Sequence, residues 1–300
     1  MENIISEIKT QCPQTEILEN EPMSHHCSFR IGGPVRAMIF PESIEDISAL
    51  CAILRRHGEK PMIVGNGTNL LVTDSALNKI VIMTGKLCSI EKNDIQIAAE
   101  CGISLAKLAV FAQENGLTGL EFAHGIPGSL GGAVSMNAGA YGGEMKDVIV
   151  SVDFLDEELN LCTAAADQLG FSYRHSAFSD TDKIVLKSNI RLSPDNPIYI
   201  RTRMEELMAK RRTSQPLDKP SAGSTFKRPA AGYAAAMIDE AGLRGFSAGG
   251  AAVSEKHAGF VVNLGDASFS DVRKVMEHVQ DTVYSKFGVR LEPEVKIVEN

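Results

Sequence analysis

The chain has 300 residues, of which 44% are hydrophobic and 23% charged, ordinary values for a globular protein of about two compact units and incompatible with a fibrous or disordered chain. Thirty basic against 38 acidic side chains leave a net charge of −8, which excludes a general nucleic-acid binder because such proteins need a basic field. No stretch approaches the roughly 18 apolar residues that span a bilayer, and the N-terminal MENIISEIKTQ has no apolar signal core, so a cytoplasmic chain without membrane partners is expected.

The six cysteines, Cys12, Cys27, Cys51, Cys88, Cys101 and Cys162, are scattered and form no CxxC pair, so they read as reduced, buried hydrophobes. No Cys/His set has metal spacing. The adjacent His25 and His26 would face opposite sides of a strand, and no metal site is expected.

In chain order, Ile4, Ile5 and Ile8 suggest a peripheral helix within residues 1–20, and FRIGGPVRAMIF from Phe29 a strand, a turn and a second strand. Ser43 caps a helix whose stripe is Ile44, Ile47, Leu50 and Leu54 and which stops at Gly58; with the PMIVG strand that follows, this predicts a β-α-β unit and parallel pairing. Residues 75–196 are strand-rich (79–83, 94–102, 148–156 and 183–192), interrupted by a helix from Ser104 to Gly116. Helices follow at about 200–212, 233–241 and 270–287, with a loop at 213–225, a strand HAGFVVNLG and a last strand LEPEVKIV. The PDNP breaker sets the main boundary, giving expected segments 1–74, 75–196 and 197–300.

Two segments stand out by their glycines. VGNGTNLLV (64–72) lacks the third glycine and following helix of a Rossmann fingerprint and the Lys-Ser/Thr of a P-loop. It offers bare backbone N–H groups with Asn66, Thr68 and Asn69, which suit a phosphate cradle and equally suit a simple turn. Residues 119–143 hold eight of the chain's 26 glycines, a density that weakens any helix or strand and fits close approach of backbone to a large ligand. Pro127, Ser129 and Asn137 add rigidity and polar handles there, and Phe122 and Ile126 could lie along an aromatic ligand. Two such loops together describe a dinucleotide held outside a Rossmann fold, with FAD the obvious candidate.

Other polar stretches are individually ambiguous. Arg174 in FSYRHSAF could be a solvated charge, Ser224 in AGSTFKRP a turn residue, and Glu292 and Glu294, one residue apart across Pro293, a solvent-facing pair opposite Leu291, Val295 and Ile297.

Taken in order, FRIGGP (29–34), VGNGTNLLV (64–72), GIPGSLGGAVSMNAGAYGGEM (125–145), YRHSAF (173–178), AGSTFKRP (222–229), SEKHAGFVVN (254–263) and LEPEVKIV (291–298) resemble the UDP-N-acetylenolpyruvoylglucosamine reductase (MurB) family of flavoenzymes from about residue 20 onward. The resemblance implies an α+β chain with a two-lobed FAD-binding domain of the vanillyl-alcohol-oxidase/PCMH type and a C-terminal α+β substrate domain. It implies FAD held by Gly65, Asn66, Gly67, Thr68, Asn69, Gly125, Ile126, Pro127, Gly128, Ser129, Gly131, Gly132 and Asn137. Catalysis would fall to Arg174, Ser224 and Glu294, and substrate contacts to Tyr173, Lys227 and Arg228. NADPH and an enolpyruvyl UDP-sugar would be the small-molecule partners. The short spacing between YRHSAF and the KIVLK strand leaves no room for the insertion of the longer subgroup, so the chain resembles the shorter type II.

The implied roles are chemically apt. A fixed guanidinium at Arg174 would stabilise enolate-like charge beside a carboxylate, and the Ser224 hydroxyl would protonate the neighbouring carbon. Desolvation would raise the pKa of Glu294 so that it hydrogen-bonds that charge. Against the negative net charge, one or two of Lys210, Arg211, Arg212, Lys219, Lys227 and Arg228 would meet the substrate diphosphate.

Overall fold

The computed structural model describes residues 1–300. The chain divides into two compact units interleaved along the sequence: Met1–Glu19, Ala37–Asn66 and Lys79–Lys210 form one, and Asn20–Arg36, Gly67–Asn78 and Arg211–Asn300 the other. Successive segments ending at 74 and 196 do not describe this division. Strand Leu70–Val72 pairs in parallel with Lys296–Val298, which draws residues 67–78 into the unit that holds the C-terminal third.

In the first unit the amphipathic N-terminal helix forms within the expected stretch. It covers Glu2–Gln11, burying Ile4, Ile5 and Ile8, and Pro13 prevents its continuation. Glu16–Pro22 is instead the edge strand of a four-stranded sheet, followed by Pro34–Phe40, Leu77–Met83 and Met62–Val64. The helix Ile44–Arg56 forms as expected, with a reciprocal cap: Ser43 Oγ accepts the Asp46 N–H, and Asp46 returns a bond to the Ser43 N–H, each 3.1 Å. Parallel pairing also occurs, but Met62–Val64 pairs with Leu77–Met83, which lies between it and Pro34–Phe40.

The unit's second sheet is antiparallel, in the order Leu161–Ala165, Ile149–Leu155, Ile184–Arg191, Gln96–Glu100 and Ile90–Asn93. The helix Leu105–Glu114 starts at the Ser104 cap, and Gly116 at φ +67° supplies its left-handed stop. The short helix Leu130–Ser135, inside the glycine-rich segment, packs on Ile184–Arg191 and Gln96–Glu100. Burial pushes the Cys51 and Cys101 thiols up to about 12, and all six cysteines are unpaired thiols.

The second unit has a three-stranded antiparallel sheet, Ser247–Ala248, Ala251–Val253 and Val261–Asn263, with helices Ala234–Glu240 and Phe269–Phe287. Val272, Val275, Met276, Val279 and Val283 form the buried stripe of the long helix, joined in the core by Leu71, Phe226, Phe29 and Ile31. Phe29 and Ile31 are therefore core residues rather than a strand, because Arg30 between them has φ +57° and breaks any ladder. The last strand is only Lys296–Val298, and Ile297 is partly exposed rather than buried with Leu291 and Val295.

The N-terminus of the long helix makes a pH prediction. Ser268 Oγ accepts the Asp271 N–H, and hydrogen bonds to the Asp271 carboxylate, chiefly from Ser268, hold its pKa below the usual aspartate value. A carboxyl depressed in the folded state adds stability that is complete above the ordinary value near 4 and is lost as pH falls. Asp271→Ala should therefore lower the thermal midpoint at pH 7 and cost less at pH 3, as checked by calorimetry at both pH values.

No helix is long and apolar enough to cross a membrane, and no cluster of His, Cys, Asp and Glu could hold a metal ion. His25 and His26 do share a partner, however. They lie in a 3-10 turn rather than a strand, so both rings reach Oε1 of Glu21, at 3.0 and 2.9 Å.

Candidate active site

The two glycine segments meet in the first unit. Gly65 follows strand Met62–Val64, and Ser129 precedes the helix Leu130–Ser135. A Cβ built on Gly65 would stand 2.1 Å from Ser129 Oγ, so only glycine permits this approach. Ser129 is 3% exposed and its hydroxyl makes no capping bond. Around it, a Cβ on Gly102 would strike the Thr84 carbonyl oxygen at 1.9 Å, and one on Gly131 the Cys101 side chain at 2.9 Å. Gly125, Ile126, Pro127 and Gly128 form the turn that leads in, tied by the Ile126 N–H to the Ala123 carbonyl. Gly132 sits in the first turn of the short helix, with Ser129 Oγ as its nearest neighbour.

In the second unit Gly67 has φ +60°, and its α-hydrogen faces the His26 carbonyl, where a Cβ would be 2.1 Å away. No chain carbonyl receives the N–H of Asn66, Gly67 or Thr68. Bare N–H groups at a glycine turn, and a second backbone packed without side chains, are the features a diphosphate-linked dinucleotide needs, so these residues fit FAD. Gly65→Ala should reduce FAD retention at least tenfold. Measured as flavin-to-protein absorbance after gel filtration, the loss should be partly reversed in Gly65→Ala/Ser129→Gly, where the clash is relieved.

Arg174 is presented by strained backbone. Ser172 and His175 exchange both backbone hydrogen bonds, at 3.0 and 3.2 Å, which makes Tyr173-Arg174 a two-residue turn. Arg174 has φ +55°, a conformation that glycine adopts freely and that costs other residues about 1–2 kcal/mol. Its guanidinium is 5.3 Å from the centre of the exposed Tyr173 ring, and Nη1 lies 3.5 Å from the Gly139 carbonyl, at the limit of a hydrogen bond.

The segments that carry Ser224 and Glu294 are paired through their backbones within the second unit. The chain runs antiparallel through a bridge between Phe226 and Pro293; the Glu294 N–H donates to the Thr225 carbonyl at 2.8 Å and the Lys227 N–H to the Glu292 carbonyl at 2.9 Å. Asn69 joins them from the first glycine loop. Its side-chain amide donates to the Glu294 carbonyl at 3.0 Å, and its own carbonyl accepts the Lys296 N–H at 2.9 Å. Glu294 and Ser224 are half-buried, whereas Glu292 is exposed and pairs with Lys227 at 3.3 Å. The two glutamates thus differ in surroundings, although both flank the same antiparallel bridge at Pro293.

Sequence reasoning passed over Thr225, 2% exposed, the hub of this arrangement: its N–H donates to Gly259, its Oγ1 accepts from Val261, and its carbonyl from Glu294. A threonine flanked by Ser224 and Phe226 in a glycine-led loop carries no signal of that role. Of the basic residues, Arg228 lies over the exposed Tyr233 ring at 4.4 Å, Arg211 is 9% exposed, and the Arg212 carbonyl accepts from Lys256.

A family model described as UDP-N-acetylenolpyruvoylglucosamine reductase, C-terminal domain, matches residues 215–298, and one described as FAD binding domain matches 35–161. UDP-N-acetylenolpyruvoylglucosamine reductase of Caldanaerobacter subterraneus subsp. tengcongensis is 46% identical over 297 residues, 99% of this chain and 98% of the relative. The chain belongs to the UDP-N-acetylenolpyruvoylglucosamine reductase family. The reductase of Agathobacter rectalis is also 46% identical, covering 99% of this chain and 98% of its own. The crystal structure of the Thermus caldophilus reductase (MurB) superposes with a TM-score of 0.81 at 31% identity, covering 95% of this chain and 99% of that one. Alkyldihydroxyacetonephosphate synthase shares the fold alone, with a TM-score of 0.51 at 15% identity over 65% of this chain and 40% of its own. The reductase is an FAD-dependent oxidoreductase of α+β fold from peptidoglycan synthesis.

Proposed function

We propose that the chain reduces the enolpyruvyl ether of UDP-N-acetylglucosamine to UDP-N-acetylmuramate in the cytoplasm, with NADPH as reductant and Arg174, Ser224 and Glu294 as catalytic residues. Full-length identity to reductases of that name supports the substrate class. Support for the residue assignment comes from the bond from the Glu294 N–H to the Thr225 carbonyl, which ties the backbone at Glu294 to the residue that follows Ser224.

FAD, when bound by the glycine loops, supplies the two-electron relay from nicotinamide to the vinyl carbon C3. Reduction at C3 leaves negative charge on C2, delocalised into the adjacent carboxylate. Arg174 would pair with that carboxylate through its planar fork, in a position fixed before substrate arrives. Ser224 would hold the proton destined for C2 and deliver it there, completing the CH–CH3 lactyl group. Glu294 serves best protonated, as a donor to the developing charge; ionised, it would oppose it. Tyr173, Lys227 and Arg228 would line the substrate approach, with Lys227 exchanging Glu292 for the diphosphate.

The test is the visible spectrum of the purified holoprotein. NADPH should bleach the flavin bands, and the enolpyruvyl UDP-sugar should restore them under anaerobic conditions while UDP-N-acetylmuramate forms in equal amount. Bands that the UDP-sugar leaves bleached would reject the proposal.

A further inference from the structure

Asn137 lies in the glycine-rich segment, where a cofactor role was expected, yet its side chain is committed elsewhere. It is 1% exposed and has φ +43°. Its amide nitrogen donates to Glu144 Oε2 at 2.6 Å and to the Ser172 carbonyl at 3.0 Å, while Oδ1 accepts the Lys146 N–H at 2.9 Å. Both amide protons are thereby used within the protein. Ser172 is the residue that opens the Tyr173-Arg174 turn. On the far side of that turn, the wholly buried Ser176 donates to the Ser135 carbonyl at 2.7 Å, and Ser179 to the same oxygen at 2.8 Å. The turn is thus fastened on both flanks to a three-residue stretch, Ser135 to Asn137, of the glycine-rich segment.

We infer that Asn137 is a positioning residue for Arg174 rather than a cofactor ligand. Arg174 occupies a backbone conformation its side chain disfavours, so the turn keeps that shape only while its ends are held. The Asn137 amide holds one end and Ser176 the other. The segment that cradles the cofactor therefore also sets where the guanidinium stands, and the two are placed by one piece of backbone. This inference rests on the role given to Arg174 above.

The test is a double-mutant cycle on FAD-loaded protein with three readouts: flavin-to-protein ratio, the rate of flavin bleaching by NADPH alone, and kcat and KM in full turnover. Asn137→Ala is expected to keep the flavin ratio and bleaching rate within about twofold and to lower kcat about 30-fold. Asn137→Ala/Arg174→Ala should be no slower than Arg174→Ala, since a misplaced arginine and an absent one are equivalent. Ser176→Ala, a milder change at the other anchor, should show the same pattern with a loss of about fivefold. Flavin loss that accounts for the lost activity, or losses that multiply in the double variant, would overturn the inference. So would a wild-type kcat in Ser176→Ala if Asn137→Ala does not fold. Full activity in Arg174→Ala itself would instead reject the assigned role of the arginine, a different failure with a different signature.

Discussion

Arg174→Lys should lower kcat by a hundredfold or more while the protein stays folded and yellow. A lysine keeps the charge but not the planar fork, so it cannot pair two-to-two with a carboxylate, and removing one preorganised donor from a reacting oxyanion costs about 3–4 kcal/mol. Arg174→Gly separates chemistry from folding. At φ +55° glycine removes backbone strain of about 1–2 kcal/mol and gives back about 0.5–1 kcal/mol in chain entropy. Its thermal midpoint should match or exceed that of the wild type, while its turnover falls at least as far as that of the lysine variant. Turnover in Arg174→Gly within tenfold of wild type would show that the guanidinium does no chemistry.

Ser224→Ala should lose about 10²–10⁴ in turnover, the range for a displaced proton donor, and leave bleaching by NADPH unchanged. Ser224 is half-buried at the end of a loop, so the methyl side chain should shift stability by less than about 0.5 kcal/mol. Ser224→Cys should recover part of the loss, because a thiol occupies the same place with an ordinary pKa near 8.5. In D2O the wild type should place one deuterium at C2 with a single configuration, and the residual turnover of Ser224→Ala should give a mixture. Undiminished, stereospecific turnover in the alanine variant would assign the proton to another group.

What was legible in the sequence was local. The helices behind Ser43 and Ser104 start where their caps are, because a hydroxyl three residues before an open N–H acts within one turn of chain. The edge strand Glu16–Pro22 was missed because ILENE has no strong alternation, and its place is decided by a sheet neighbour. Glycine density announced close backbone approach, but not that Gly65 faces Ser129 or that Gly67 faces His26, since those partners are distant in sequence. Asn69 and Asn137 illustrate the same limit. Their amides donate to the Glu294 and Ser172 carbonyls, partners 225 and 35 positions away in the chain. The roles of Arg174, Ser224 and Glu294 came from the ordered motifs of a family; each residue by itself was as compatible with a solvated surface.

The interleaving of the two units bears on biosynthesis. Asn69 and Glu294 are 225 positions apart, and the strand after Asn69 pairs only with Lys296–Val298. While a ribosome is still adding those residues, the glycine loop at 64–72 has been made but its C-terminal anchor has not, and Leu71 has no parallel neighbour to cover it. The loop at 64–72 must then wait for the C-terminal strand to emerge, and a chain truncated before residue 296 would leave the ribosome with that loop unlatched.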